Sequence, residues 1–287
     1  LLTLFSLHSF SQTLKELNDS AYSYYSKGDF NGAAKFGELA ALAAKKEFGE
    51  IHPAYADCLN NLGVMYDRLG LFAKAEPFYL EAMEIRKSSL GDAHPAYIES
   101  LINLALLFDK TNQLTKAEPL FIQAMEGRKK QLGDMHPDYA FIMGNLALLY
   151  DKSGQYTKAE PLFFREIEIL KKSLGDTHPA YANCIENLAA MYDHMLQFGK
   201  AETLRLQVIE IRKKDPGESH PDYATSVFNL AVLYDHMGQV TKAESFFIQA
   251  LDIRKKLLGD MHPDYAVCME ALAMLYNKTG QYTKAES

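Results

Sequence analysis

The sequence predicts an all-α protein, a solenoid of antiparallel helix pairs. Three observations carry that expectation. His-Pro recurs at His52-Pro53, His94-Pro95, His136-Pro137, His178-Pro179, His220-Pro221 and His262-Pro263, always 42 residues apart. Lys-Ala-Glu recurs with the same period, at Lys74, Lys116, Lys158, Lys200, Lys242 and Lys284. Within a period, two apolar stripes run at three- and four-residue steps, as two amphipathic helices require. One helix pair cannot bury both stripes, so successive pairs must stack.

Taken in order, Leu1 to Gln12 reads LLTLFSLHSFSQ, apolar and then small and polar. Two readings fit it: the tail of a secretory signal peptide, or a frayed first helix. The residues up to 48 hold a divergent first copy, with Gly28 aligned to Gly70 and Ala33 to Ala75. In the second copy Ala56, Leu59, Leu62, Tyr66 and Leu69 make the first stripe. Pro53 suits the first helical turn, and Gly70 suits a left-handed stop. Phe72, Ala75, Tyr79, Ala82 and Ile85 make the second stripe, which ends at Leu90-Gly91. Later copies write the start of that helix as Thr115-Lys-Ala-Glu118, Thr157-Lys-Ala-Glu160 and Thr241-Lys-Ala-Glu244, which predicts capping boxes with threonine as the cap. Basic runs such as Arg254-Lys255-Lys256 complement the dipole of the last turn. The fifth copy is irregular: Gly199 and Arg205 replace threonine and an aromatic, and Pro216 predicts a helix that ends a turn early. Residues 13–287 thus read as one array of about seven copies. The last is cut short where Thr283-Lys-Ala-Glu286 opens a box that Ser287 ends, which predicts a fragment.

Composition narrows the function. The 287 residues are 48% hydrophobic and 23% charged, enough to bury a core. A net charge of −7 argues against nucleic acid, whose phosphates need a basic face. No apolar run is long enough for a membrane span. Three cysteines make no disulfide framework, and Cys58, Cys184 and Cys268 fall at equivalent places in separate copies, as small apolar residues would.

The run LNNLGVMYDRLGLFAKAEPFYLEAMEIRKSSLG closely resembles the tetratricopeptide repeat. Between copies, Leu-Gly-Asp-x-His-Pro-x-Tyr-Ala is similar to the extended 42-residue form of kinesin light chains and many bacterial repeat proteins. The resemblance covers roughly Asn18 to Ser287. It implies a right-handed superhelix whose first helices line a concave groove that binds an extended peptide or a partner helix. The expected function is a protein-interaction scaffold. The alternative is the repeat region of a longer enzyme or sensor, such as a caspase-like peptidase or histidine kinase; self-assembly through solenoid ends is a third reading.

No catalytic residues, metal site or cofactor are expected. The His-Pro histidines stand one per copy with no second ligand at short spacing, and no phosphate loop, GxSxG or HExxH occurs. Asn61, Asn103, Asn145, Asn187 and Asn229 recur at one interior helix site, although asparagine is a mediocre helix former. Either each amide bonds a neighbouring helix within the solenoid, or these are the groove asparagines of tetratricopeptide domains, which pair with a bound peptide backbone. Asp67, Asp109, Asp151, Asp193 and Asp235 form a second ladder, which with Phe141 and Phe228 predicts an acidic, partly apolar groove. The resemblance implies Lys or Arg beside the asparagine in clamps for a C-terminal carboxylate. Here those places are largely acidic or apolar, so the expected partner is a protein or peptide with basic and apolar side chains. The location is cytoplasmic or, if residues 1–12 are a signal remnant, exported or periplasmic.

Overall fold

His52 shows how this sequence starts a helix. In the computed structural model, which describes residues 13–285, its backbone is extended and its Nδ1 accepts the amide of Ala54 at 3.1 Å, with Pro53 in the first turn. His94, His136, His178, His220 and His262 cap their helices in the same way. The histidine of each His-Pro pair is therefore a helix cap, satisfying one amide that the helix itself leaves free. The two readings of residues 1–12, and the last residues of the Thr283 box, lie outside the described span.

The chain divides into two compact bodies, Leu1–Asp134 and Met135–Ser287. The first holds three helix pairs: α1 (Leu14–Ser26) with α2 (Phe30–Phe48), α3 (Pro53–Arg68) with α4 (Phe72–Leu90), and α5 (Pro95–Lys110) with α6 (Leu114–Leu132). The second holds α7 (Pro137–Lys152) with α8 (Tyr156–Leu174), α9 (Pro179–His194) with α10 (Phe198–Lys214), and α11 (Pro221–His236) with α12 (Val240–Leu258). It closes with α13 (Pro263–Lys278) and the short α14 (Tyr282–Ala285). No strand occurs among the described residues. The expected apolar stripes form the cores; Leu59, Leu62, Ala75 and Ala82 are almost completely buried in the first body, as are Leu146, Phe163 and Ile185 in the second.

The threonine capping boxes do not form. The caps of α6, α8, α10 and α12 are Gln113, Gln155, Gln197 and Gln239, and none makes a side-chain cap bond. The turn between paired helices is too tight for a separate cap. Gln113 donates its amide back to Phe108 while Asn112 donates to Asp109, a Schellman closure. The closing residue of one helix is thus already the cap of the next, and Thr115 falls inside the helix. The box that does form is Thr13 with Glu16, at the start of α1.

Lys-Ala-Glu serves the stacking of repeats instead. Lys200 and Lys242 sit over the rings of Tyr192 and Tyr234 at 4.5 and 4.6 Å. The glutamate of the preceding repeat accepts those tyrosine hydroxyls, Tyr192 to Glu160 at 2.5 Å and Tyr234 to Glu202 at 2.7 Å. One carboxylate therefore ties a lysine and a phenol of the next repeat. Helix α10 ends two residues short of its 19-residue counterparts, ahead of Pro216, where a full turn is expected from the sequence. Its Arg205 is buried, with Nε 3.3 Å from Glu186 and Nη2 3.4 Å from Asp193.

Candidate functional site

The two polar ladders lie on the first helices, and the structure gives their members unequal roles. Asn103 donates to buried Asn60 at 3.0 Å, and Asn229 donates to Glu186 at 2.9 Å, each reaching back to the preceding repeat. Asn145 bonds its own helix, at the carbonyl of Phe141, 2.7 Å away. Asn61 is exposed and Asn187 is half-buried. Two of the five asparagines are thus occupied in tying adjacent repeats together.

The aspartate ladder is largely engaged from within. In the first body Lys110 reaches Asp67 at 2.5 Å. In the second, His194 lies 3.0 Å from Asp151, His236 3.0 Å from Asp193, and Lys278 2.8 Å from Asp235. Asp109 likewise has a partner. Lys110, His194, His236 and Lys278 each stand one residue after the next position of the ladder (Asp109, Asp193, Asp235 and Asn277), so Asp67, Asp151, Asp193 and Asp235 each meet a side chain from the repeat after their own. Asp151 and Asp193 are buried beneath their histidines. The signal was present in the sequence as the Lys or His that follows each ladder position from Asp109 to Asn277.

The two aromatic candidates also differ. Phe141 is 55% exposed. Phe228 packs on Phe247 with ring centroids 5.5 Å apart, and the Arg254 guanidinium covers it at 4.8 Å.

Phe141, Asn145 and Asn187 come together at one place, a cavity of about 460 Å³ among α7, α8 and α9. Gly144, Leu148, Glu166, Leu170 and Cys184 also line it. Glu166 is 7% exposed and its Oε2 has no hydrogen-bond partner. Burial pushes its carboxyl up to about 8. Sequence reasoning missed this residue, although the signal lies in the alignment of copies. The position is Ala40, Ala82, Ala124, Val208 or Ala250 in the other full pairs, and glutamate only here. Gly144 makes the room, since a Cβ there would collide with the Glu166 carboxyl. A second cavity, of about 420 Å³ in the first body, is lined by Asn18, Cys58 and Asn61. Burial raises the thiol of Cys58 to about 11 and those of Cys184 and Cys268 above their usual value, so none is a reactive nucleophile. Among the described residues no group of three His, Cys, Asp or Glu could hold a metal ion, and no helix is long and apolar enough to cross a membrane.

Stacked helix pairs closed by glycine, with polar ladders on the first helices, define a class of helical repeat scaffold. The chain belongs to the tetratricopeptide repeat family, which matches it at residues 11–88, 68–130, 110–172, 152–214, 184–256 and 224–287. Proteins of this family are interaction scaffolds that bind protein partners. Among solved structures, the chain is similar to one from Podosopora anserina, named for kinesin light chain with nearly identical TPR-like repeats. Identity is 25%, coverage 71% of this chain and 96% of that one, and the TM-score 0.64. BtubC (BKLC) from P. vanneervenii shares 21% identity over 88% of this chain and 94% of its own, with a TM-score of 0.64. The apo quorum sensor NprR from B. thuringiensis shares the fold at a TM-score of 0.73, with 15% identity over 95% of this chain and 73% of its own. No curated protein matches the chain.

Proposed function

We propose that this chain is a scaffold that holds an extended segment of a partner protein along the face formed by its first helices. The observation that carries this reading is the convergence of Phe141, Asn145 and Asn187 on one open cavity in the second body. Phe141 offers exposed apolar surface, and the amides of Asn145 and Asn187 offer both donors and acceptors to a peptide backbone. The partner segment carries basic and apolar side chains. The paired aspartates contribute little to that charge preference, because each is already engaged by a lysine or histidine side chain of this chain. The whole-molecule charge of −7 still favours a basic partner at low salt.

The test is a peptide selected from a random library against the purified chain, then titrated against variants. Asn145→Ala with Asn187→Ala should weaken binding about tenfold, as two lost amide pairings of roughly 0.5–1.5 kcal/mol each would do, with thermal stability nearly unchanged. Asn103→Ala should do the reverse, lowering stability by about 1 kcal/mol because buried Asn60 loses its partner, with binding intact. Wild-type affinity in a folded Asn145/Asn187 double variant refutes the reading.

A further inference from the structure

Four repeats carry arginine where the fourth repeat has Leu170, namely Arg86, Arg128, Arg212 and Arg254, and three of these arginines fill the space that in the fourth repeat is a cavity. Arg86 donates to the Ala96 carbonyl at 3.0 Å, to Ser100 at 2.8 Å and to Asp57 at 2.7 Å. Arg212 does the same with the Asp222 carbonyl at 3.0 Å, Ser226 at 2.7 Å and Asn183 at 2.6 Å. Arg254 reaches the Asp264 carbonyl at 2.8 Å and Cys268 at 3.1 Å. In each case a buried guanidinium from the second helix is clamped against the first helix of the next repeat.

The fourth repeat changes three residues of this device together. Leu170 stands at the arginine position, and Phe141 stands where Asp57 and Asn183 supply the acceptor. Glu166 replaces the small residue one turn earlier, with Gly144 clearing space for it. The would-be acceptors of a guanidinium remain, since Ala180 and Cys184 correspond to Ala96 and Ser100 and both line the cavity. A cation has been removed from this place and a buried carboxyl added.

We propose that this cavity is a receptor for an arginine side chain of the bound partner segment, with Glu166 as its ion-pair partner. The assignment rests on the peptide-binding reading above. Arginine fits better than a point charge. Its planar fork can meet a carboxylate while its remaining N–H groups reach a helix carbonyl, as the three internal arginines do. Phe141 at the rim adds a ring for the guanidinium plane. Oε2, buried and unpartnered, gains the hydrogen bond that nothing in the chain supplies.

The experiment titrates the full chain with acetyl-Leu-Arg-Phe-Leu-amide and with its citrulline twin, a neutral isostere, followed by NMR. Wild type should bind the arginine peptide at least tenfold more tightly than the citrulline peptide. Glu166→Gln should bring the two within about twofold of each other. Leu170→Arg should also abolish the preference, because a guanidinium from the chain then occupies the site. Helicity measured on the same samples excludes a merely unfolded variant. Equal binding of both peptides by wild type, or a preference that survives Glu166→Gln, overturns the arginine assignment while leaving the peptide-binding reading standing. Binding of neither peptide overturns both.

Discussion

Glu166→Gln should make the protein more stable, and increasingly so as pH rises. The glutamine keeps the shape of the side chain and removes its titration. Burial lifts the carboxyl from 4.5 to about 8 in the folded chain, so the folded state holds its proton over a range in which the unfolded state has lost it. Stability therefore falls with pH between those two values, because the unfolded state binds fewer protons there. Each pH unit inside that window costs about 1.4 kcal/mol. From about pH 5 to about pH 8 the wild type should lose on the order of 3 kcal/mol that the variant keeps. A pH-independent offset of about 1 kcal/mol is expected from placing an amide NH2 where the neutral carboxyl stood. The quantity that matters is thus the change in the gap between the two proteins. Urea unfolding followed by circular dichroism at about pH 5, 6.5 and 8 measures it. Parallel stability profiles, with the gap constant to within about 0.5 kcal/mol, would refute the claim that this carboxyl is buried without a partner.

Other perturbations test the scaffold. Arg205→Phe should cost about 3–5 kcal/mol by stranding Glu186; adding Glu186→Phe should recover most of that loss in denaturant unfolding, since the pair then copies Phe228 and Phe247 of the next repeat. Leu146→Ala should cost about 2–5 kcal/mol as a truncation in a filled core, and the same change at half-buried Leu272 should cost measurably less. Leu196→Gly should raise the unfolding free energy by about 1 kcal/mol, because Leu196 sits at φ +58° where a Cβ is unfavourable.

The fold was legible because every copy repeats the same local grammar. His-Pro marks a helix start, left-handed glycine marks a stop, and a three-to-four-residue apolar stripe marks the buried face. The errors came where one residue type can serve two local purposes. Thr115 and Glu118 have capping-box spacing, yet the Schellman turn places the cap two residues earlier, at Gln113. The related Glu160, Glu202 and Glu244 reach tyrosines of the next repeat instead. The ladders were found, but their partners were not. A contact between residues 43 apart, such as Asp151 with His194, becomes visible only when copies are laid side by side and adjacent columns are compared. The site was less legible still. Glu166, Gly144 and Leu170 are each unremarkable in a linear reading, and they acquire meaning only as joint departures at three columns that face one another in space.

Those departures are where a specific partner is best sought, for a physical reason. Interactions that recur from repeat to repeat are already satisfied within the chain, whether histidine on amide, lysine on ring, phenol on carboxylate, or lysine or histidine on aspartate. A satisfied group offers a ligand little, because any new bond must replace an existing one. The fifth repeat also departs, with Glu186 and Arg205, but there the two buried charges meet each other. In the fourth repeat the acid has no such mate. An alanine at Glu166 and an arginine at Leu170 would relieve the cost, as Ala82 with Arg86 and Ala250 with Arg254 do in other repeats. A buried carboxyl with a bare oxygen, beside a cavity open to solvent, is a cost that a bound cation turns into affinity. Replacing either Glu166 or Leu170 by its counterpart from a neighbouring repeat should therefore trade binding for stability, whereas the same exchange at Arg205 should only lose stability.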